Sequence, residues 1–365
     1  MRVGILTFHM AHNYGAMLQA YALRKKICEM GFDCEVIDYR NPAIYNWHRK
    51  DKLKKLTKDN GFIIGSMKYA KRIITGYYTK DKRWYGFNNF MEKDIGISKR
   101  TYEDVSELKN LDYDTYVCGS DQIWNTEHSG GIYSGYFLDF TNKNVKRIAY
   151  AASKGPVEIK DSEKKDFFNL LSKFDYIGVR EKGLKDSLEA IGIKNSQWVL
   201  DPTLLLKSEE WIKIANYRKF DNYILIYKIK DDFKLYECAR KIAKESGCKI
   251  IEITYNKNES LKDIIQLEDC GPREFLGLFN KASYVVTNSF HGTCFSIIFN
   301  KIFYSIPYQG LSSRMDSLLN LLDLNDRKVE NLDEFSLNTN INYNEVNIKL
   351  NKERQASLEF LKNSL

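Results

Sequence analysis

Apolar positions along this chain keep two different rhythms. Residues 3–8 form a short apolar run with the length of a buried strand. After His9-Met-Ala-His-Asn-Tyr-Gly15, the residues Ala16, Ala20, Leu23, Ile27 and Met30 recur at four, three, four and three. That spacing predicts one buried stripe of a helix, and Gly31 ends it. Residues 34–39 are a second strand run, so the chain opens as a β-loop-α-β unit. Strands are predicted again at 113–118, 147–153, 175–179 and 197–200, with a helix at 181–191. Beyond about residue 210 a second series begins, with strands at 223–229 and 249–254 and helices at 232–246 and 274–280. It continues with a strand at 284–287, a helix at 293–299 too apolar for a surface, and a strand at 302–306 closed by Pro307. Arg314 opens a helix carrying Met315, Leu318, Leu319 and Leu322, and a charged helix spans roughly 344–361.

Two consecutive βα series predict an α/β protein of two Rossmann-like domains facing each other across a cleft, the plan of GT-B glycosyltransferases. The first is expected at 1–204, interrupted by a basic helical insertion at about 42–100. The second is expected at 205–365 and includes the C-terminal helix.

Composition adds little except in one place. The 365 residues are 43% apolar and 28% charged, ordinary for a globular protein. No apolar run approaches the roughly 20 residues that span a bilayer. The start, Met1-Arg-Val-Gly-Ile-Leu-Thr-Phe, reads as a first strand and not as a signal peptide. Seven cysteines without a CxxC pair predict free thiols in a reducing cytoplasm and no zinc site. The net charge of +8 is concentrated in residues 49–83, where twelve Lys or Arg face three Asp. The rest of the chain is near neutral, which argues against a nucleic-acid partner. The basic segment is interleaved with aromatics such as Tyr69, Tyr77 and Tyr78. It reads either as a solvated helical insertion or as a peripheral contact with the inner face of the cell membrane or a lipid-linked substrate.

Candidate chemistry gathers at strand ends, where open parallel sheets place their ligands. His291 lies where a strand hands over to a buried helix, flanked by the turn and cap residues Asn288, Ser289 and Gly292. The helix start adds free N–H groups suited to a phosphate or carboxylate. A core histidine bonded to a carbonyl is the plainer reading. Asn13 and Gly15 either aim donors at a ligand or form an N-cap and tight turn. Gly119 and Ser120 allow close backbone approach, and Asp121 is a base, a sugar-hydroxyl acceptor or a turn cap. Trp124 is a sugar platform or core. Arg180 closes a strand and points into the crevice or pairs with Glu181. GxGxxG is absent from the first loop.

Five motifs, in order, resemble the polysaccharide pyruvyl transferase family. They are Asn13-Tyr-Gly-Ala-Met-Leu-Gln-Ala-Tyr-Ala-Leu23, Gly119-Ser-Asp-Gln-Ile-Trp124, Gly178-Val-Arg-Glu181, Asp201-Pro-Thr203 and Ser289-Phe-His-Gly292. The resemblance implies transfer of pyruvate from phosphoenolpyruvate to a sugar, lipid-linked or free, as a ketal, with no metal or nucleotide cofactor. His291 matches the family's active-site histidine and Arg180 the arginine of its Val-Arg-Asp-like motif. Tyr14 and Gln19 fall in the substrate-binding set with Asn13, Gly15, Gly119, Ser120, Ser289 and Gly292 of the same motifs and the adjoining Asn288. Arg314 stands where many members have lysine.

Chemistry runs parallel to the resemblance. Phosphoenolpyruvate needs at least two cationic anchors, for which Arg180 and Arg314 are placed. Its vinyl carbon needs a proton from a group that titrates near neutrality, and His291 fits. Asp121 would orient or deprotonate the acceptor hydroxyl, and Asn13 would bond substrate. A glycosyltransferase using a nucleotide-sugar in the same cleft is the alternative, and a non-catalytic glycan-binding protein a third.

Overall fold

The computed structural model describes residues 1–41, 66, 82–141, 144–155, 158–308 and 312–365. Apart from Lys82 and Arg83, nearly all of the basic segment at 49–83 lies outside the described residues, and the membrane reading with it. Two wholly parallel sheets carry the fold. The first has seven strands, β1 (Arg2–Leu6), β2 (Asp33–Tyr39), β3 (Ile97–Tyr102), β4 (Thr115–Cys118), β5 (Lys146–Ala152), β6 (Tyr176–Val179) and β7 (Ser196–Trp198). They lie in the order β3-β2-β1-β4-β5-β6-β7. The second has five, β8 (Tyr223–Tyr227), β9 (Lys249–Ile253), β10 (Ile264–Leu267), β11 (Tyr284–Thr287) and β12 (Ile302–Ser305), ordered β10-β9-β8-β11-β12.

Each order reverses once, between β1 and β4 and between β8 and β11. At such a switch point the loops that leave neighbouring strands diverge and open a crevice at the carboxyl edge. The residues His9–Asn13, Gly119–Asp121, Lys228–Lys230 and Asn288–Ser289 lie in these four loops, the last leading straight into the helix that carries His291.

Helix α1 (Tyr14–Glu29) explains how the halves hold together. Asn13 caps it, its Oδ1 accepting the Ala16 N–H at 3.2 Å. The predicted stripe is buried at Ala16, Ala20, Leu23 and Ile27, but so are Tyr14, Gly15, Met17, Leu18, Gln19 and Ala22. The helix is enclosed nearly all round because the second half covers the face the first leaves open. Tyr14 donates its hydroxyl to the Cys270 carbonyl at 2.7 Å and stacks on Phe275 with ring centroids 4.6 Å apart. Tyr227, Phe279 and Phe295 extend this aromatic seam. Each such pair contributes ~0.5–1.5 kcal/mol beyond its burial. Partly exposed ion pairs across the same boundary, such as Lys26 to Glu210, contribute ~0–1 kcal/mol, so the seam is chiefly apolar.

The predicted strands and helices are present within a few residues of their expected bounds. Two strands escaped the pattern, β3 and β10. Trp124 is core: its indole is 1% exposed, stacks on Phe137 and donates to the Tyr136 carbonyl at 3.1 Å. The C-terminal helix (Tyr343–Ser364), grouped by the sequence with the second half, touches both. Tyr343 donates to the Lys301 carbonyl, while Ser357 Oγ accepts the Leu200 N–H at 3.0 Å and Phe360 packs over Tyr150 and Tyr176. All seven cysteines are free thiols. Among the described residues no helix is long and apolar enough to cross a membrane.

Candidate active site

The ends of β4, β6, β7 and β11 deliver their next residues to one buried cluster. After β6, Arg180 is anchored by its backbone, its N–H bonded to the Ala152 carbonyl at 3.1 Å and its own carbonyl accepting the Trp198 indole N–H at 2.9 Å. After β7, Asp201 heads the short helical turn Pro202–Leu205. After β11, Ser289 caps the helix Phe290–Ile298, its Oγ accepting the Gly292 N–H at 3.3 Å, which sets His291 in the first turn. That helix starts earlier than its apolar run suggests, because Phe290 and His291 are already helical.

Asp201 joins the cluster. Its Oδ1 accepts the Thr203 N–H at 2.9 Å and the Thr203 hydroxyl at 2.7 Å. Its Oδ2 accepts from Arg180 Nη1 at 2.9 Å and Ser120 Oγ at 3.1 Å, and lies 3.6 Å from His291 Nε2. Burial alone would raise this carboxyl. The charges of His291 and Arg180 and the Thr203 amide outweigh it and hold Asp201 well below the usual carboxylate range. Arg180 also reaches Glu181 Oε1 from Nε at 3.3 Å, and Nη2 stands 3.7 Å from Asp121 Oδ1. Glu181 is buried, which raises its pKa against the pull of Arg180, Arg314 and the Ser153 hydroxyl.

Arg314 enters from the helix Ser312–Leu321 and is 6% exposed. Both guanidinium groups lie over the ring of Phe290, Arg180 at 5.0 Å and Arg314 at 5.8 Å from its centroid. With its amide turned so that the oxygen faces the guanidinium, Gln122 accepts from both terminal nitrogens of Arg314, at 3.1 and 3.2 Å. Burial and the Arg180 charge bring Arg314 down to about 10. Four buried polar atoms of this cluster have no hydrogen-bond partner: Arg180 Nη2, His291 Nε2, Arg314 Nε and Glu181 Oε2. A buried donor left unpaired costs ~1–3 kcal/mol, more when charged. Three of the four are donors and Glu181 Oε2 is an acceptor, so a ligand carrying both an anionic group and hydroxyls would satisfy them.

Other residues singled out by the sequence surround this cluster and hold it in place. Gly15 lies against His291: a Cβ there would be 2.0 Å from the ring Nδ1. Gly119, with φ +112°, lies against the Tyr150 carbonyl oxygen, 2.2 Å from where a Cβ would be. Gln19 is fully buried with its amide committed, donating to Thr7 Oγ1 and the Ala16 carbonyl at 2.8 Å each and accepting the Ser120 N–H at 3.1 Å. Ser120 donates its hydroxyl to the Ala151 carbonyl at 2.8 Å as well as to Asp201. Tyr14 belongs to the seam. Asn288 ties down the loop after β8, accepting the Ile229 N–H and donating to the Lys230 carbonyl, both at 2.9 Å. Gly292 leaves no room for a Cβ beside Thr287 Oγ1. Asn13 spends its oxygen on the helix cap. Asp121, at φ 72°, keeps a partly exposed carboxylate at the edge of the cluster.

Sequence reasoning missed Asp201 as the hub and Phe290 as the shared platform. Both sit inside quoted motifs, and the Asp-Pro-Thr and Ser-Phe-His-Gly strings were the available signal.

The fold is GT-B-like, two Rossmann-like halves with a buried cluster of two arginines, a histidine and three carboxylates between them. The chain belongs to the polysaccharide pyruvyl transferase family, whose model matches residues 13–310. No curated protein matches the sequence. Among solved structures it is similar to UDP-GlcNAc 2-epimerase of Methanocaldococcus jannaschii, at 13% identity and TM-score 0.50, covering 97% of this chain and 94% of that one. It is also similar to UDP-GlcNAc 2-epimerase of Neisseria meningitidis, at 10% identity and TM-score 0.51, covering 99% and 94%. At these identities the likeness is one of fold.

Proposed function

We propose that this chain transfers the pyruvyl group of phosphoenolpyruvate to two hydroxyls of one sugar in a cell-surface polysaccharide or its lipid-linked precursor, forming a cyclic ketal. The observation that carries the reading is the convergence of unpaired Arg180 Nη2, Arg314 Nε and His291 Nε2 in a buried cluster that also holds a partly exposed Asp121. Arg180 and Arg314 are the anchors for phosphate and carboxylate. His291, with Asp201 as its counter-charge, delivers a proton to the vinyl carbon. The central carbon gains oxocarbenium character and is attacked by one sugar hydroxyl, whose proton passes to Asp121. The second hydroxyl then displaces the phosphate, which leaves with the pair of its C–O bond; this hydroxyl's proton returns to the His291 imidazole, the proton on Asp121 passes to the departing phosphate, and inorganic phosphate and the ketal are the products. The site supplies electrostatic positioning where charge develops.

Phosphate release from phosphoenolpyruvate, measured with a panel of free and lipid-linked hexose acceptors, tests this. Acceptor-dependent release in the wild type that disappears in His291→Ala is expected. No release with any acceptor, together with a melting-point rise from a nucleoside diphosphate and none from phosphoenolpyruvate, would replace the reading with a nucleotide-sugar glycosyltransferase.

A further inference from the structure

The helix at 82–90 and the π-helical turn after it (Met91–Ile95) have an unusual outer face. Arg83, Phe87, Phe90 and Met91 are buried against the core. On the other side Trp84, Tyr85, Asn88, Asn89 and Glu92 follow the spacing of a single helical face. A solvated face normally carries short polar or charged side chains. This one presents a tryptophan 59% exposed and a tyrosine 66% exposed, interleaved with two amides.

That face borders a cavity of about 520 Å³, within the range of small-ligand sites. Its opposite wall is Met10 and His12 from the loop after β1 and Arg40 at the end of β2. An aromatic plane beside amides and a carboxylate is the chemistry that holds a sugar ring; the Arg40 guanidinium is paired with Asp38 and closes the wall. The apolar C–H face lies on the ring, and the hydroxyls bond to the polar groups around it. The cavity is also placed for it. His12 lines this wall, and Gly15, three residues on, lies against His291. Three residues span at most about 11 Å, so the cavity wall comes within that distance of the backbone that touches His291. A second cavity beside Lys228 and Tyr308 is less suited. Lys228 is engaged with Glu252, Asp231 and Tyr236, and Lys230 already covers the Tyr308 ring.

We propose that the Trp84 cavity is the acceptor-glycan subsite, holding an inner sugar of an oligosaccharide on Trp84 while the terminal sugar reaches His291. This rests on the pyruvyl-transfer reading for what happens to the terminal sugar, but not for the binding itself. The test is therefore a binding measurement on the His291→Ala protein without phosphoenolpyruvate, using tryptophan fluorescence and calorimetry. The probes are di- to tetrasaccharides of hexoses and N-acetylhexosamines. At least one is expected to bind, and Trp84→Ala is expected to weaken it roughly tenfold without lowering the melting point. Tyr85→Ala is the second variant should Trp84→Ala melt early, with the same expectation. Affinity unchanged by both substitutions, or no binding of any probe, overturns the subsite. Binding lost with Trp84, but no phosphate release from phosphoenolpyruvate in the wild type, keeps the subsite and removes the pyruvyl reading.

Discussion

Gly15 and His291 meet across the two halves of the molecule with no room for a methyl group between them. The contact joins the first turn of α1 to the first turn of the helix Phe290–Ile298. A Gly15→Ala substitution favours the isolated helix by ~1 kcal/mol, so any loss of function comes from displacing the imidazole. A shift of about 1 Å in a catalytic group costs on the order of 100-fold. Turnover of the Gly15→Ala protein should fall by about that factor, with phosphoenolpyruvate binding by calorimetry changed much less.

Asp121 and Asp201 should separate in their effects. Replacing Asp201 by Asn removes the shortest of the three carboxylate contacts of a buried Arg180 and is expected to cost ~3–5 kcal/mol in urea denaturation. Asp121→Asn should cost under about 1 kcal/mol, because its contact to Arg180 is a longer 3.7 Å and Asn tolerates the left-handed backbone. Its effect is expected in kcat. Equal destabilisation by the two would contradict the geometry.

Arg314 keeps its charge but has an uncommitted Nε. Arg314→Lys is expected to raise the KM for phosphoenolpyruvate by about tenfold or less. Arg314→Gln, which removes one charge-assisted contact worth ~1.5–3 kcal/mol, should raise it by roughly 10- to 150-fold. Steady-state kinetics on the two variants decides.

Acid should unfold the protein through named carboxyls. Asp38 is buried, which would raise it, but His9, Arg40 and Thr101 hold it well below its ordinary range, as His291 and Arg180 do for Asp201. Both folded values lie below the unfolded one of about 3.9, so their stabilisation is complete above about pH 4 and lost as pH falls further. Glu181, raised by burial, works in the opposite direction: its cost is relieved as the pH drops through its folded value. Urea midpoints should fall steeply below about pH 4, and Asp38→Asn should flatten that slope while lowering the midpoint at pH 7.

Much of the fold was legible because parallel strands buried on both faces are short apolar runs, as β8 (Tyr-Ile-Leu-Ile-Tyr) and β11 (Tyr-Val-Val-Thr) are. β3 hid because it is an edge strand, Ile-Ser-Lys-Arg-Thr-Tyr, with three exposed residues in succession. β10 is also an edge strand, only four residues long. His291, Arg180, Asp121 and Arg314 were legible from their position after strands or at a helix start. Asp201 was not, because one oxygen does what a turn-capping aspartate does, and the other acts on residues 21 to 90 positions away. The burial of Gln19 was not legible, because a polar residue in a helix motif gives no sign that a second layer will cover it.

The C-terminal helix has a consequence for synthesis. Phe360 covers Tyr150 and Tyr176, and Ser357 satisfies the backbone of Leu200, all in the first sheet. On the ribosome those positions emerge well over a hundred residues before the helix that closes them. The surface of the first half under that helix is therefore left uncovered through translation of the entire second sheet, until residues 343–364 arrive.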